Sequence, residues 1–357
     1  MGQALTIFNK KSRYLGIDIS ATAVKLVELS RAGGRFQVEA YGTEPLPEGT
    51  MDNRNPSDPA AVGAAIRRIV KDCRTSLREA VVAVPSTSVI TRTITMPIEL
   101  GDAEIESTLQ LEASQYIPFA LEEVYLDFEV VGRSALEPTQ QDVLLVATRR
   151  EYVDLRNESL REAGLRAAIV DVETYALENS FHLLASTLPQ YGADARFAVI
   201  DVGAGHTTLY VLQEGRTIYT REHAFGGDML TNAIADAYGI TRADAELAKR
   251  TGGQNDEYST DLITHYRNTI AEQIGQTLQF FFSSSHHSTV EHVILTGGGS
   301  LVPGLPRAVG ATLQIPTVLG NPFEAMTAPA RVRHRDLQAQ APLYATACGL
   351  ALRSFDR

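Results

Sequence analysis

Hydrophobic and polar positions alternate in nearly the same way through two stretches of the chain. The first, YLGIDISATAVKLVELSRAGGRFQVEAYG from Tyr14, runs apolar into Asp18 and turns on small residues. It then continues as two alternating strands separated by Gly33-Gly34. The second, FAVIDVGAGHTTLYVLQEGRTIYTREHAFGG from Phe197, runs apolar into Asp201 and turns on Gly203 and Gly205. Two alternating strands follow, with Glu214-Gly215 between them. A period of two predicts strands, and the glycine-containing pairs predict tight hairpins. The repeat, offset by about half the chain, predicts two related lobes that each open with a β-meander.

Helical periodicity follows each meander. Ser57 or Asp58 is placed to cap an alanine-rich helix reaching to about Ser76. After the second meander, DMLTNAIADAYGI and RADAELAKRTGG predict short helices, and DLITHYRNTIAEQIGQTLQFFFSSS a long amphipathic one. Each lobe then returns to a strand, EAVVAVP in the first and EHVILTGGG in the second. This order predicts an α/β fold with mixed sheets covered by helices. From about Pro85 to Leu165 the symmetry breaks. VITRTITMPI, DAEIESTLQLEASQYI, VYLDFEVVG and DVLLVATRR predict a small β-α-β-β module, with Asp102 capping its helix without a full capping box. The resulting divisions are a tail at 1–12, a first lobe at 13–84 and 166–190, an insert at 85–165, and a second lobe at 191–357. A last helix at about 342–353 is expected to pack back on the first lobe.

The composition narrows the function classes. Of 357 residues, 44% are hydrophobic and 21% charged, as in a globular protein with room for two cores. A net charge of −11 without a dense Lys/Arg cluster excludes nucleic acid as the main partner. Cys73 and Cys348 supply neither a disulfide framework nor a zinc spacing. No uninterrupted apolar run has the length of a membrane span. A soluble protein of a reducing, cytoplasmic compartment is the expectation.

The candidate chemistry lies at the two strand ends. A tight glycine turn frees backbone N–H groups to point at phosphate oxygens, and small residues let the chain approach closely. A carboxylate beside phosphates needs a cation, and Asp18 and Asp201 can hold a hydrated Mg²⁺ through its waters. Either hairpin alone is also what a solvated β-turn gives. Further stretches add to the pair. VILTGGGSLVPGL runs a buried strand into Gly297, Gly298, Gly299 and Ser300, where backbone can lie flat against a ribose or base. Glu246 and Lys249 share one helical face and can bond ribose hydroxyls and a purine edge, or simply each other. Lys25 can reach a phosphate as a point charge, and VDVETYALENSF carries Asp171 and Glu173 at a strand-to-helix junction.

In this order the motifs resemble the nucleotide-binding core of the actin superfamily, which includes sugar kinases, DnaK-type chaperones, MreB and FtsA. Asp18 to Thr22, with Ser20 and Ala21 between, is similar to the first phosphate loop, and Lys25 matches a lysine that actin carries seven places after that Asp. Asp201 to Thr207, through Gly203, Ala204, Gly205 and His206, is similar to the second phosphate loop. Gly226-Gly227 with Thr231 matches the GGxxxT of FtsA and the chaperones. Glu246, Lys249 and Arg250 match the chaperones' adenosine-contacting ExxKR, and Gly297 to Ser300 the adenosine loop. The resemblance implies an actin-like (ribonuclease H-like) two-lobed fold, subdomains 1A and 2A/2B with an FtsA-type insert as subdomain 1C. It also implies ATP and Mg as cofactors.

The insert, VLLVATRREYV and the ending APLYATACGLALR resemble, within that superfamily, the PilM family of type IV pilus assembly. FtsA usually ends in an amphipathic membrane-targeting helix, and LALRSFDR does not resemble one. The PilM resemblance implies a cytoplasmic scaffold, peripheral at the inner membrane, that binds the short cytoplasmic N-terminus of PilN. The groove would lie between subdomain 1A and the insert, near 104–119. PilO would be reached indirectly, and the motor ATPase or platform proteins and self-association are further implied contacts.

The chain departs from active relatives in two places. Ser20 stands where most members have Gly. Thr208 stands where actin has a His and the chaperones an Asp that help order the attacking water. Glu173 is the candidate to orient a water in their stead, with His206 a weaker one. Hydrolysis is therefore expected to be slow or absent. The alternatives are an FtsA-like filament former and a small-molecule kinase with Asp171 or Asp201 as its base.

Overall fold

The computed structural model describes residues 13–356 except 53, 113–114, 190–191, 193 and 252–257. The tail assigned to 1–12 lies outside the described residues. The first lobe opens with the meander β1 (Leu15–Ile19), β2 (Ala23–Ala32) and β3 (Arg35–Pro45). A two-residue ladder, β4 (Met51–Asp52) with β5 (Asn55–Pro56), leads to α1 (Pro59–Asp72). Asp58, not Ser57, caps α1. Its Oδ1 accepts from Ala61 N at 3.0 Å, and Pro59 fills the first turn, where no N–H is required. β6 (Glu79–Val84) then runs parallel to β1.

The insert follows as β7 (Val89–Pro97), α2 (Asp102–Glu112), β8 (Val124–Arg133) and β9 (Gln140–Arg149). Its antiparallel sheet has the order β7-β9-β8 and its own core, including Ile94, Met96, Ile105, Leu109, Val143 and Leu145. The cap of α2 differs from the sequence expectation. Ile105 N donates to Gly101 O at 2.9 Å, so Gly101 is the cap and Asp102 the first helical residue. Glu104 Oε2 accepts from Gly101 N at 3.0 Å, the reciprocal half of a capping box.

Helix α3 (Arg150–Glu162) follows β9 directly, but it packs with the first lobe rather than the insert. Leu160 joins Val62, Ile66 and Ile69 of α1 over Leu15, Ile17, Val24 and Leu26 of the sheet. A side chain at Gly63 would meet Ser159 O at 2.7 Å, so the helices cross where α1 carries none. The module that folds on its own core thus stops near Arg149, before the boundary at 165 read from the sequence. β10 (Arg166–Val172) completes a sheet of order β10-β6-β1-β2-β3 and feeds α4 (Glu173–Leu184).

The second lobe repeats the plan with β11 (Arg196–Val202), β12 (Thr207–Gln213) and β13 (Arg216–His223). α5 (Asp228–Tyr238), α6 (Arg242–Thr251) and α7 (Tyr258–Ser284) follow. Then come β14 (His292–Thr296), α8 (Leu305–Leu313) and β15 (Thr317–Leu319). The sheet order is β13-β12-β11-β14-β15. Its outer face (Ala198, Ile200, Val202, Leu209, Val211) packs on Ile270, Ile274 and Leu278 of α7 and on Val309 of α8.

The chain closes with α9 (His334–Gln340) and α10 (Ala345–Leu352). α10 packs back on the first sheet, with Ala347, Cys348 and Ala351 against Val27 and Leu29. α4 and α10 fill the space between the lobes. Leu177, Phe181 and Leu184 of α4, with Ala345, face Val199, Tyr210, Leu212 and Ile294 of the second sheet. Two glycines permit this approach. A Cβ at Gly349 would overlap Ala176 O on α4, and one at Gly16 would overlap Ala347 O on α10.

Gly349→Val is expected to destabilise the protein by about 1–3 kcal/mol or more, because packed interiors resist added volume. Thermal unfolding should show a midpoint lowered by several degrees. Gly298→Ala, at a position with nothing within 4 Å of an added Cβ, should change stability by less than about 0.5 kcal/mol.

Candidate functional site

The first strand of each meander ends at the interlobe cleft, and antiparallel register decides what stands beside each terminal carboxylate. In the first lobe Asp18 pairs with Lys25, and in the second Asp201 pairs with Thr208. These are equivalent positions in the repeat, so a cation in one lobe is replaced by a hydroxyl in the other. Lys25 Nζ donates to Asp18 Oδ2 at 2.8 Å and to Ser20 Oγ at 2.9 Å. Ser20 Oγ donates in turn to Ala23 O at 2.8 Å, which shapes the turn. Ala21 and Thr22 are exposed at its tip. Lys25 is thus a nearly buried ammonium held at the mouth of the hairpin.

The second hairpin is tighter. Gly203 N donates to His206 O at 2.9 Å, and a side chain at Gly203 would sit 2.8 Å from that carbonyl. Gly227 N and Asp228 N donate to Gly203 O and Ala204 O at 2.9 and 2.8 Å. Gly226 lies against the same carbonyls, where a Cβ would overlap them. The GG pair therefore holds the 203–206 loop from behind. Thr207 and Ser300, expected to serve a ligand, are committed elsewhere. The buried Thr207 hydroxyl donates to Phe225 O at 2.8 Å and the buried Ser300 hydroxyl to Gly297 O at 2.7 Å. Both residues shape loops, because a buried hydroxyl must find a partner.

Gly297 has φ +80°, and a Cβ there would meet Val202 O at 2.5 Å and Asp201 Oδ1 at 2.7 Å. This glycine is required by conformation and by space together. Gly299 packs against Val202, while Gly298 is exposed and faces open space. Glu246 and Lys249 of α6 pair at 2.5 Å, and Thr231 Oγ1 lies 2.9 Å from each. Lys249 is buried, and an added Cβ at Gly227 would be 3.1 Å from its Nζ, so the pair reaches the loop cluster. Burial works against the Glu246 charge, but the bonds from Lys249 outweigh it and hold its carboxyl below the usual range. Arg250 is exposed and paired to Glu246 at 3.2 Å.

Three residues not singled out from the sequence complete the cleft. Arg54, in the turn between β4 and β5 with φ +68°, donates from Nη2 to Glu173 Oε1 and Oε2 at 2.7 and 2.6 Å. Its Nη1 donates to Glu222 on β13 of the other lobe. Arg156 of α3, almost wholly buried, holds that turn. It donates to Arg54 O at 3.0 Å, Asn55 Oδ1 and Tyr152 O at 2.8 Å, and Ala83 O at 2.6 Å. Burial pulls Arg156 down to about 10, so it keeps its charge at neutral pH. Register offers a signal for Glu222, which stands opposite Thr208 as Thr208 stands opposite Asp201. Nothing local marks Arg54 or Arg156.

The electrostatics tie the two lobes together. Burial pushes the Asp201 carboxyl above the usual range, with Lys25 and Arg54 pulling it down and Asp18 pushing it up. Thr296 Oγ1 donates to Asp201 at 3.1 Å. Burial likewise pushes Glu173 up to about 7 against the pull of Arg54, and Asp18 adds to the rise. Asp18 thus pushes both carboxyls up and Arg54 pulls both down, so these charges form one candidate site. Asp171 is not part of it. Arg353 grips both its oxygens, at 2.7 and 3.1 Å, which ties the C-terminal segment to β10 and removes Asp171 as a free base.

These residues fit a magnesium nucleotide. Each hairpin ends in a carboxylate, an ammonium stands beside Asp18, and Gly205 and Gly298 leave room beside the loops. Among the described residues no cluster of three or more metal-ligating side chains occurs. A hydrated Mg²⁺ at Asp18 and Asp201 would take its other ligands from water and phosphate.

Comparison with known proteins gives the site its context. Residues 16–355 match the family described as type IV pilus assembly protein PilM. A solved structure described as the PilM-PilN type IV pilus biogenesis complex aligns with a TM-score of 0.79 at 31% identity, covering 97% of this chain and 100% of that one. Ethanolamine utilization protein EutJ from Carboxydothermus hydrogenoformans shares the fold, with a TM-score of 0.55 at 14% identity over 96% of this chain and 90% of its own. Cell division protein FtsA of Agrobacterium fabrum is 27% identical over 181 residues, 43% of this chain and 39% of that protein. The chain thus spans about two fifths of the length of the curated relatives it matches. With nearly its whole length matched, this actin-like chain belongs to the PilM family of type IV pilus assembly proteins.

Proposed function

We propose that this chain is a nucleotide-regulated scaffold of type IV pilus assembly. Mg-ATP is held between the Asp18 and Asp201 hairpins, with Lys25 toward the phosphates and Glu246, Lys249 and the Gly297–Ser300 loop toward the nucleoside. The observation that carries this reading is the Arg54 guanidinium joining Glu173 of the first lobe to Glu222 of the second beside the two carboxylate-tipped hairpins, with Asp18 among the charges that push the buried Asp201 carboxyl up. The backbone of Gly203–Gly205 and the Lys25 ammonium supply donors for phosphate oxygens. The bound ion would offset charge that the protein alone leaves poorly compensated.

The partner in this reading is the cytoplasmic N-terminus of a PilN-type membrane protein, and the similar solved structure is described as a PilM-PilN complex. The insert offers apolar surface for it. Leu111 at the end of α2 is 83% exposed, Phe119 and Tyr125 lie nearby in sequence, and β8 is an edge strand able to accept an extended segment. No described helix is long and apolar enough to cross a membrane. Attachment through PilN would place the chain at the cytoplasmic face of the inner membrane, in contact with PilO indirectly and with the pilus motor, and so serve twitching motility. Nucleotide acts by changing the lobes' arrangement, with leverage equal to its differential affinity for the two states.

Turnover is expected to be slow. Thr208 occupies the position opposite Asp201, and Glu173 is gripped by Arg54 rather than free to orient water. A kinase reading is weaker because Arg353 occupies Asp171.

Isothermal titration of the full chain should show Mg-ATP binding that Asp18→Ala or Asp201→Asn weakens by about 10-fold or more, the scale of a lost charge-assisted contact. No difference from the unsubstituted protein would remove the proposed site. A phosphate-release assay should give turnover below about 1 s⁻¹. A synthetic peptide of the PilN-type N-terminus should bind with an affinity that changes when Mg-ATP is added. Leu111→Asp should weaken that binding about 10-fold while leaving nucleotide affinity unchanged.

A further inference from the structure

We propose that Arg54 is a two-position cation. In the ligand-free protein it clasps the second lobe through Glu222, and in the nucleotide-bound protein it leaves Glu222 for the terminal phosphate. Recognition of that phosphate and release of the clasp are then one event. The proposal deepens the nucleotide reading and rests on it.

The geometry separates the two contacts of the guanidinium. One nitrogen, Nη2, donates to both oxygens of Glu173, at the start of α4 and on the same side of the cleft as the turn that carries Arg54. Its other nitrogen reaches Glu222 across the cleft, on the third strand of the second lobe. The Glu173 contact uses both carboxylate oxygens and sits on one lobe, so it can persist when the lobes move. The Glu222 contact is single and joins the lobes, so it is the one that motion or a competing anion breaks. Thr208 Oγ1, 3.4 Å from the same Glu222 oxygen, is placed to keep that carboxylate hydrogen-bonded after Arg54 departs.

The support beneath Arg54 is what a positioned cation requires. The residue has φ +68°, uncommon for a side chain of this size, and Arg156 holds the turn through Arg54 O and Asn55 Oδ1. A nearly buried guanidinium thus serves to fix the backbone of an exchangeable one. A phosphate oxygen is an anionic acceptor like the Glu222 carboxylate oxygen, and the Nη1 released from Glu222 can donate to either. A nucleoside diphosphate lacks the terminal group, and the exchange should separate the two nucleotides.

The test compares Mg-ATP and Mg-ADP affinities by titration calorimetry, with the lobe separation read by pulsed electron resonance from spin labels on the outer faces of α1 and α8. Arg54→Gln should weaken Mg-ATP by about 10- to 100-fold and Mg-ADP by less than about threefold. Arg54→Lys should recover part of the loss. Glu222→Gln should strengthen Mg-ATP more than Mg-ADP and broaden the label distances of the ligand-free protein towards larger values. Equal losses for both nucleotides in Arg54→Gln would make Arg54 a fixed clasp and overturn the proposal. So would an unchanged ATP-to-ADP ratio in Glu222→Gln, which decides the matter if Arg54→Gln does not fold. If Asp18→Ala abolishes binding while Arg54→Gln leaves the ratio untouched, only the Arg54 exchange fails. If the unsubstituted protein binds neither nucleotide, the nucleotide reading falls and this proposal with it.

Discussion

The cleft depends on how closely two helices approach. α4 and α10 lie between the sheets, and at Gly349 the backbone of one reaches the carbonyl of Ala176 on the other with no room for a side chain. α10 also rests directly on β1 at Gly16, two residues from Asp18 in the strand. This contact sets how far apart the strands of the two lobes end, and hence where Asp18 and Asp201 stand. A bulge of one methyl group would be transmitted to the carboxylates, because interiors packed at crystal density shift rather than compress.

The charges follow from that spacing. Asp18, Asp201 and Glu173 share a low-dielectric cleft, and such a group of carboxylates persists only with cations among them. Lys25 and Arg54 are those cations, the first paired with Asp18 and the second with Glu173. The repeat is asymmetric here. The first meander carries its ammonium on the strand beside the carboxylate, whereas the second has Thr208 at the matching place and borrows Arg54 from the opposite lobe.

Much of this was legible in the sequence, for reasons that can be named. The meanders show because strand alternation, a terminal Asp and a glycine turn are all local, and because they occur twice. Lys25 shows because it follows Asp18 by seven residues on the next strand, and the structure's register then brings it opposite that carboxylate. What sequence does not carry is direction and long-range pairing. Thr207 and Ser300 are the right residue types in the right loops, but their hydroxyls turn inward to Phe225 O and Gly297 O. Arg54 finds Glu173 and Glu222 across separations of 119 and 168 residues, which no spacing rule connects. α3 was assigned to the insert because it adjoins it in sequence, yet its apolar face belongs to α1. At α2 a glycine took the cap and left Asp102 one position inside the helix.

The junction at Arg149 and Arg150 has a mechanical meaning. Strand β9 ends at one residue and α3 begins at the next, so no slack joins the insert to the helix that bears Arg156. Arg156, on the second turn of α3, donates to the carbonyl of Arg54, so the path from the insert to that turn is short and continuous. The insert and the turn that carries Arg54 are thus joined by about two turns of helix, from Arg150 to Arg156.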